Sequence, residues 1–144
     1  MIDTRTAPYA ALLLRVVLGG LFLTHAWLKI FVFTPAGTVG FFASLGLPAA
    51  LAYLTMTVEV LGGLALIAGV YTRIAAIVLI PGLLGAIVTV HAANGFFFNN
   101  PKGGWEYPAF WVVAVIVQAG LGSGAYAALP TAATLPATAR AVSA

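Results

Sequence analysis

Scarcity of charge is what most limits the folds open to this chain. Only nine residues carry it: Asp3, Arg5, Arg15, Lys29, Glu59, Arg73, Lys102, Glu106 and Arg140. Residues 74–101 and 107–139 hold none. A soluble domain has roughly a quarter of its residues charged, whereas here the share is 6%, against 62% hydrophobic residues. Such a chain cannot cover a water-facing surface with polar groups, which excludes a soluble globular enzyme. Disorder needs low hydrophobicity and high charge, so it is excluded as well. What fits is a small integral membrane protein. With no cysteine, there is no disulfide framework, thiolate metal site or Cys nucleophile.

The six basic residues stand singly and form no stripe, which argues against nucleic-acid binding. In a membrane protein they report orientation instead.

The apolar runs predict four spanning helices, at about residues 9–33, 48–70, 72–94 and 107–129. Period-2 alternation is absent, so a β-barrel is not indicated. The expected fold is all-α: a membrane four-helix bundle over residues 1–129, followed by a disordered Ala/Thr/Pro-rich tail over 130–144. The first span contains Arg15, His25 and Lys29 and is longer than an ordinary signal-peptide core, so it reads as an uncleaved helix. Pro48 suits the first turn of the second helix, and Gly69-Val70-Tyr71-Thr72-Arg73 reads as a tight hairpin turn. Asn99 to Gly104 reads as a polar loop. Pro81 is expected to kink the third helix, and Pro130 to end the fourth. Thr34 to Gly46 is too apolar for a water loop and is expected to lie as a short interfacial segment between the first two spans. Arg5, Arg15, Arg73 and Arg140 on the side of the termini, against Lys29 and Lys102 on the other, predict a multi-pass protein of the cell inner membrane with both termini cytoplasmic.

Ionisable groups inside a span are costly and usually face the bundle interior. At 100° per residue, Arg15, Phe22, His25 and Lys29 fall within about 80° of one another and form one polar stripe. Rise arithmetic places Glu59 roughly 7 Å above Arg15, so an Arg15–Glu59 pair is expected. These two are the candidate catalytic or proton-balancing residues. A second cluster is expected at the outer end, from His25, Lys29, His91 and Glu106. Twelve of the seventeen aromatic residues, Trp105 among them, lie at or near that same end. Belts normally form at both membrane faces, so a planar lipophilic ligand held by outer aromatics and bonded by His or Lys explains the asymmetry better. A quinone fits, with His25, Lys29, His91, Glu106 and Trp105 as candidate binding residues. A haem held by His25 and His91, or a metal held with Glu106, is a lesser reading, and no metal site is assigned. Structural cross-linking of the helices by these same polar groups is the plain alternative.

The pentapeptide Val-Leu-Gly-Gly-Leu occurs at 17–21 and again at 60–64. Its glycines would allow close backbone approach. No phosphate-binding Gly-rich loop, zinc-protease motif or nucleophile elbow is present.

The run LRVVLGGLFLTHAWLKIF (residues 14–31) resembles the first helix of the DoxX family. GFFASLGLPAALAYLTMTVEVLGGLALIAGVYTRIAA (40–76) resembles its central segment, and GAIVTVHAANGFF (85–97) with GGWEYPAF (103–110) resembles its third helix, outer loop and fourth-helix start. The resemblance covers about residues 10–125. It implies a four-helix membrane bundle in a family linked to redox systems, including quinone-coupled thiosulfate oxidation and terminal oxidase complexes. By position, it places the family's polar set on Arg15, His25, Lys29, Glu59, Arg73, His91 and Glu106. The chain departs from the family pattern at Ala26, where Gly is common. It departs again at Gly122-Ser123-Gly124, where Gly-Pro-Gly is usual. The functional expectation is a quinone-linked redox subunit or accessory that lies in membrane lipid and takes electrons from a partner redox protein, with a homo-oligomer open. The alternative is a non-catalytic membrane anchor or assembly partner.

Overall fold

The computed structural model describes residues 3–130. Five helices follow in order: α1 (Ala7–Trp27), α2 (Thr34–Ser44), α3 (Ala49–Ala68), α4 (Thr72–Ala86) and α5 (Glu106–Leu121). A π-helical turn, Leu28–Val32, prolongs α1. A second, Ile87–His91, prolongs α4 and runs into the 3₁₀ turn Ala92–Asn94. The described residues contain helices and connecting segments, with no strand.

Three of the rods, Ala7–Val32, Ala49–Ala68 and Thr72–Asn94, are long and apolar enough to cross a membrane. They match the first three expected spans closely. Backbone groups in lipid must be satisfied internally, and helices do this within one segment. Large apolar side chains such as Leu13, Ile74, Val88 and Phe110 point outward, more than 60% exposed. In water so much exposed apolar surface would be untenable, whereas lipid is its natural solvent.

Chain breaks follow local chemistry. Gly46 (φ 76°) ends α2 and Gly69 (φ 70°) ends α3. At each, the next residue's N–H reaches back five residues, Leu47 to Phe42 O and Val70 to Ala65 O, both at 2.9 Å. This is the Schellman closure, and the left-handed conformation it requires suits glycine. α3 and α4 therefore form the expected tight hairpin. Pro48, in extended conformation, precedes α3. α4 continues through Pro81.

α1 packs chiefly on α3, and α4 on α5. The two Val-Leu-Gly-Gly-Leu segments meet at the first of these crossings. A Cβ added to Gly19 would lie 2.7 Å from the Gly63 carbonyl oxygen, and one added to Gly63 would lie 3.0 Å from that of Gly19. Gly62 is pressed in the same way against Leu79 of α4. Small residues let the helices approach to backbone contact where lipid supplies no hydrophobic drive. Leu18, Phe22, Leu66, Leu79 and Val115 fill the centre.

The fourth span differs from expectation. α5 stops at Leu121, not near 129, because Gly122 adopts φ 80° and ψ −154°. At 1.5 Å per residue its 16 residues reach about 24 Å. Beyond it the chain folds back across the end of the bundle. Ala125 N–H donates to Pro8 O, Ala128 N–H to Ala68 O and Leu129 N–H to Gly69 O. The start of α1, the α3–α4 turn and this strap thus share one end, called inner here; α2 and the loop before α5 occupy the outer end. Except for Pro130, the tail expected over 130–144 lies outside the described residues.

Candidate functional site

The expected Arg15–Glu59 pair does not form. Arg15 is fully buried, and its guanidinium turns to the inner end. Nε donates to Ser123 O at 2.8 Å. One terminal nitrogen donates to Leu66 O at 3.0 Å and to Ile67 O. The other donates to Ala125 O at 2.9 Å and Tyr126 O at 3.0 Å. These five bonds match the five N–H donors of an arginine. The acceptors are carbonyls at the end of α3 and in the strap, and such groups lack helix partners. Irregular backbone at this depth must be satisfied by protein, and Arg15 meets that need. Its donor set is spent there, so none remains for Glu59.

Glu59 pairs with Lys29. Nζ lies 2.8 Å from both carboxylate oxygens, with side-chain exposures of 21% and 13%. Lys29 stands in the first π turn, and the Thr38 hydroxyl of α2 donates to its carbonyl at 2.8 Å. His25 lies within electrostatic reach of Glu59. Its Nδ1 is 3.0 Å from Leu21 O. A carbonyl only accepts, so Nδ1 is the donor. An apolar layer separates this cluster from Arg15. Leu18 and Phe22 lie between Arg15 and His25 along α1, and buried Leu66 and Val115 close the layer from α3 and α5.

His91 and Glu106 form a separate group at the outer end. His91 closes the second π turn, and its Nδ1 is 3.0 Å from Gly103 O, so Nδ1 is the donor there too. π turns are frequent at functional sites, and here one carries Lys29 and the other His91. A Glu106 carboxylate oxygen accepts the Phe98 N–H at 3.2 Å. A cavity of about 530 Å³ opens beside them, lined by His91, Phe98, Gly103, Gly104, Glu106, Tyr107, Pro108 and Phe110. Trp105 is not in its wall; it packs edge-on against Phe96, with ring centroids 4.8 Å apart. The outer cluster expected from four residues is therefore two groups, and among the described residues no hydrogen bond or ion pair joins them. Nor do three of His, Cys, Asp and Glu gather anywhere among the described residues as a metal would require.

The cavity's loop is a built structure. Asn94 donates to the carbonyls of Val90 at 2.9 Å and Gly103 at 3.1 Å, and Asn100 donates to Asn94 O at 2.8 Å. Gly104 sits among three carbonyls; a Cβ there would come within 2.6 Å of all of them. Sequence reasoning missed these residues and Thr38, since a polar side chain in a loop advertises no partner. It counted Trp111 among the twelve outer aromatics but gave it no role of its own. Trp111 joins the two groups, with its ring centroid 4.9 Å from that of His25 and 5.6 Å from that of Tyr107.

The DoxX family model matches residues 10–92. That span holds Arg15, His25, Lys29, Glu59 and His91 and stops before the outer loop and α5. A protein of Bacillus subtilis (strain 168) named "Putative oxidoreductase CatD" is 39% identical over 88 residues, which cover 61% of this chain and 64% of that protein. The chain thus matches under two thirds of that relative's length. No solved structure gives a significant match. The matched segment holds the three long apolar helices, the glycine crossing and the Lys29–Glu59 pair, and together with the family model it identifies this chain as a membrane protein of the DoxX family.

Proposed function

We propose that this chain is a quinone-linked redox subunit or accessory of the cell inner membrane, with both termini cytoplasmic and its quinone site at the outer end. The observation that carries the reading is His91, fixed by Gly103 O in the wall of an aromatic-lined cavity with its Nε2 unspent. The relative's name supports an oxidoreductase role.

The residues fit such a ligand. Phe98, Tyr107 and Phe110 offer flat apolar faces for a ring, and the cavity volume falls within the range of small-molecule sites. His91 Nε2, the ring nitrogen left free by the bond to Gly103 O, can pass a proton to the quinone as it is reduced and take another from the outer side. Glu106, tethered through Phe98 N–H, offers a second proton carrier at the same wall, for the second of the two protons that quinone reduction takes up. When bound, a quinone supplies two-electron, two-proton chemistry. The electrons come from a partner redox protein, since the chain has no thiol of its own to give them.

Extraction of the protein purified in nanodiscs, followed by mass spectrometry, tests this. Quinone should co-purify near stoichiometrically and be lost in His91→Ala. A Soret band in the absorption spectrum would replace the reading with haem binding. Colourless protein carrying only bulk lipid and a stoichiometric partner would replace it with membrane anchoring.

A further inference from the structure

Tyr107, the second residue of α5, lines the outer cavity and is 44% exposed. Its ring is not a loose interfacial aromatic. It packs one turn above buried Trp111, with centroids 5.6 Å apart, and Trp111 packs in turn against Phe22, at 4.7 Å. The ring is thereby fixed at the cavity wall, while its hydroxyl has no hydrogen-bond partner among the described residues. A phenol hydroxyl both donates and accepts. An oxidised quinone presents carbonyl oxygens and needs donors, and the backbone of the wall supplies few. The N–H groups of Gly103, Gly104 and Glu106 donate to the carbonyls of Asn100, Phe97 and Phe96, at 2.8, 3.0 and 2.9 Å. That of Phe98 donates to the Glu106 carboxylate, and Pro108 has none. Phe98 and Phe110 offer ring faces only. The Tyr107 hydroxyl is a donor that the wall keeps free.

We propose that the Tyr107 hydroxyl donates a hydrogen bond to one carbonyl oxygen of a quinone in the outer cavity. This rests on the reading that the cavity takes a quinone. In a largely apolar site a few polar groups set the ligand's orientation. The bond from Tyr107 does so here: it holds the quinone at one oxygen while His91 and Glu106 serve the protons of reduction.

The test reads the quinone carbonyls directly. A short-chain ubiquinone analogue, ¹³C-labelled at one carbonyl at a time, is titrated into the full chain in nanodiscs and followed by infrared difference spectroscopy. One of the two carbonyl bands should move saturably to lower wavenumber as quinone binds. Tyr107→Phe keeps the ring and its packing on Trp111. In this variant that band should return to the position of quinone dissolved in lipid, and quinone retention should fall about three- to tenfold, the range of one neutral hydrogen bond. A shifted band that persists in Tyr107→Phe overturns the inference and leaves the quinone reading intact, since another group then donates. Weaker retention with the band unchanged also overturns it, because the loss is then one of packing. So does quinone bound to the wild-type chain with both bands at their lipid positions. No retention of quinone by the wild-type chain overturns both readings.

Discussion

Arg15 shows how a charge in a membrane span can be wholly structural. A buried, unpaired guanidinium would be prohibitive, yet this one meets five carbonyls and no carboxylate. Its rigid fork suits several acceptors at once, which a lysine ammonium cannot imitate. Arg15→Met should strand carbonyls at the end of α3 and in the strap, and should destabilise the fold by roughly 3 kcal/mol or more. Arg15→Lys should recover only part of this. Unfolding midpoints in detergent, with limited proteolysis of the Gly122–Leu129 strap, check both. If Arg15→Met leaves midpoint and strap protection unchanged, the bonds to Arg15 do not hold the strap. The Lys29–Glu59 pair is different in kind, because both partners retain some exposure at the outer half of the bundle. Lys29 meets both carboxylate oxygens of Glu59, whereas Arg15 is spent on backbone carbonyls.

Among the helices, the repeated glycines do unequal work. Gly19 faces the Gly63 carbonyl, while Gly20 has nothing within 4 Å of an added Cβ. Ala favours a helix over Gly by about 1 kcal/mol. Gly20→Ala should therefore be neutral to mildly stabilising. Gly19→Ala must push α1 from α3, and overpacking of this sort costs about 1–3 kcal/mol. Its net effect should be destabilising, by denaturant midpoint in the same detergent. Equal behaviour of the two variants would contradict the crossing. Much of this level was legible beforehand. Apolar runs located the first three spans, Pro48 and Gly69 marked real breaks, and the apolar Thr34–Gly46 stretch contains the short helix α2. Two things were not legible. Rise arithmetic put Glu59 about 7 Å above Arg15, and gave no sign that Arg15 turns to the inner end while Lys29 meets Glu59. The end of α5 was hidden because a Gly-Ser-Gly run in an apolar stretch reads as packing or fraying until a left-handed Gly122 and a waiting arginine appear.

In the molecule as a whole, polarity divides into two compartments. The outer one holds Lys29, Glu59, His25, His91 and Glu106; the inner one holds Arg15 with buried Thr72 and Gln118. Under the proposed function, the apolar layer between them leaves protons at the outer site to exchange with the outer side. The direction of that site across the membrane then decides which compartment the chemistry serves. Arg15 is sealed inside the fold and Arg140 lies outside the described residues, so the described inner end offers Arg5 and Arg73 as orienting charges, against Lys102 in the outer loop. Basic residues favour the cytoplasmic side, which places the cavity on the opposite face. Because the chain has no cysteine, single cysteines report this without background. Lys102→Cys should react with a membrane-impermeant maleimide on intact cells. Tyr71→Cys, at a position 67% exposed in the inner α3–α4 turn, should react only after lysis. The reverse pattern would place the proposed quinone site on the cytoplasmic side. Reaction of both from one side would break the four-span topology, because the α3–α4 turn and the loop before α5 are joined by the single rod of α4 and its π and 3₁₀ turns, and a spanning rod must part its two ends.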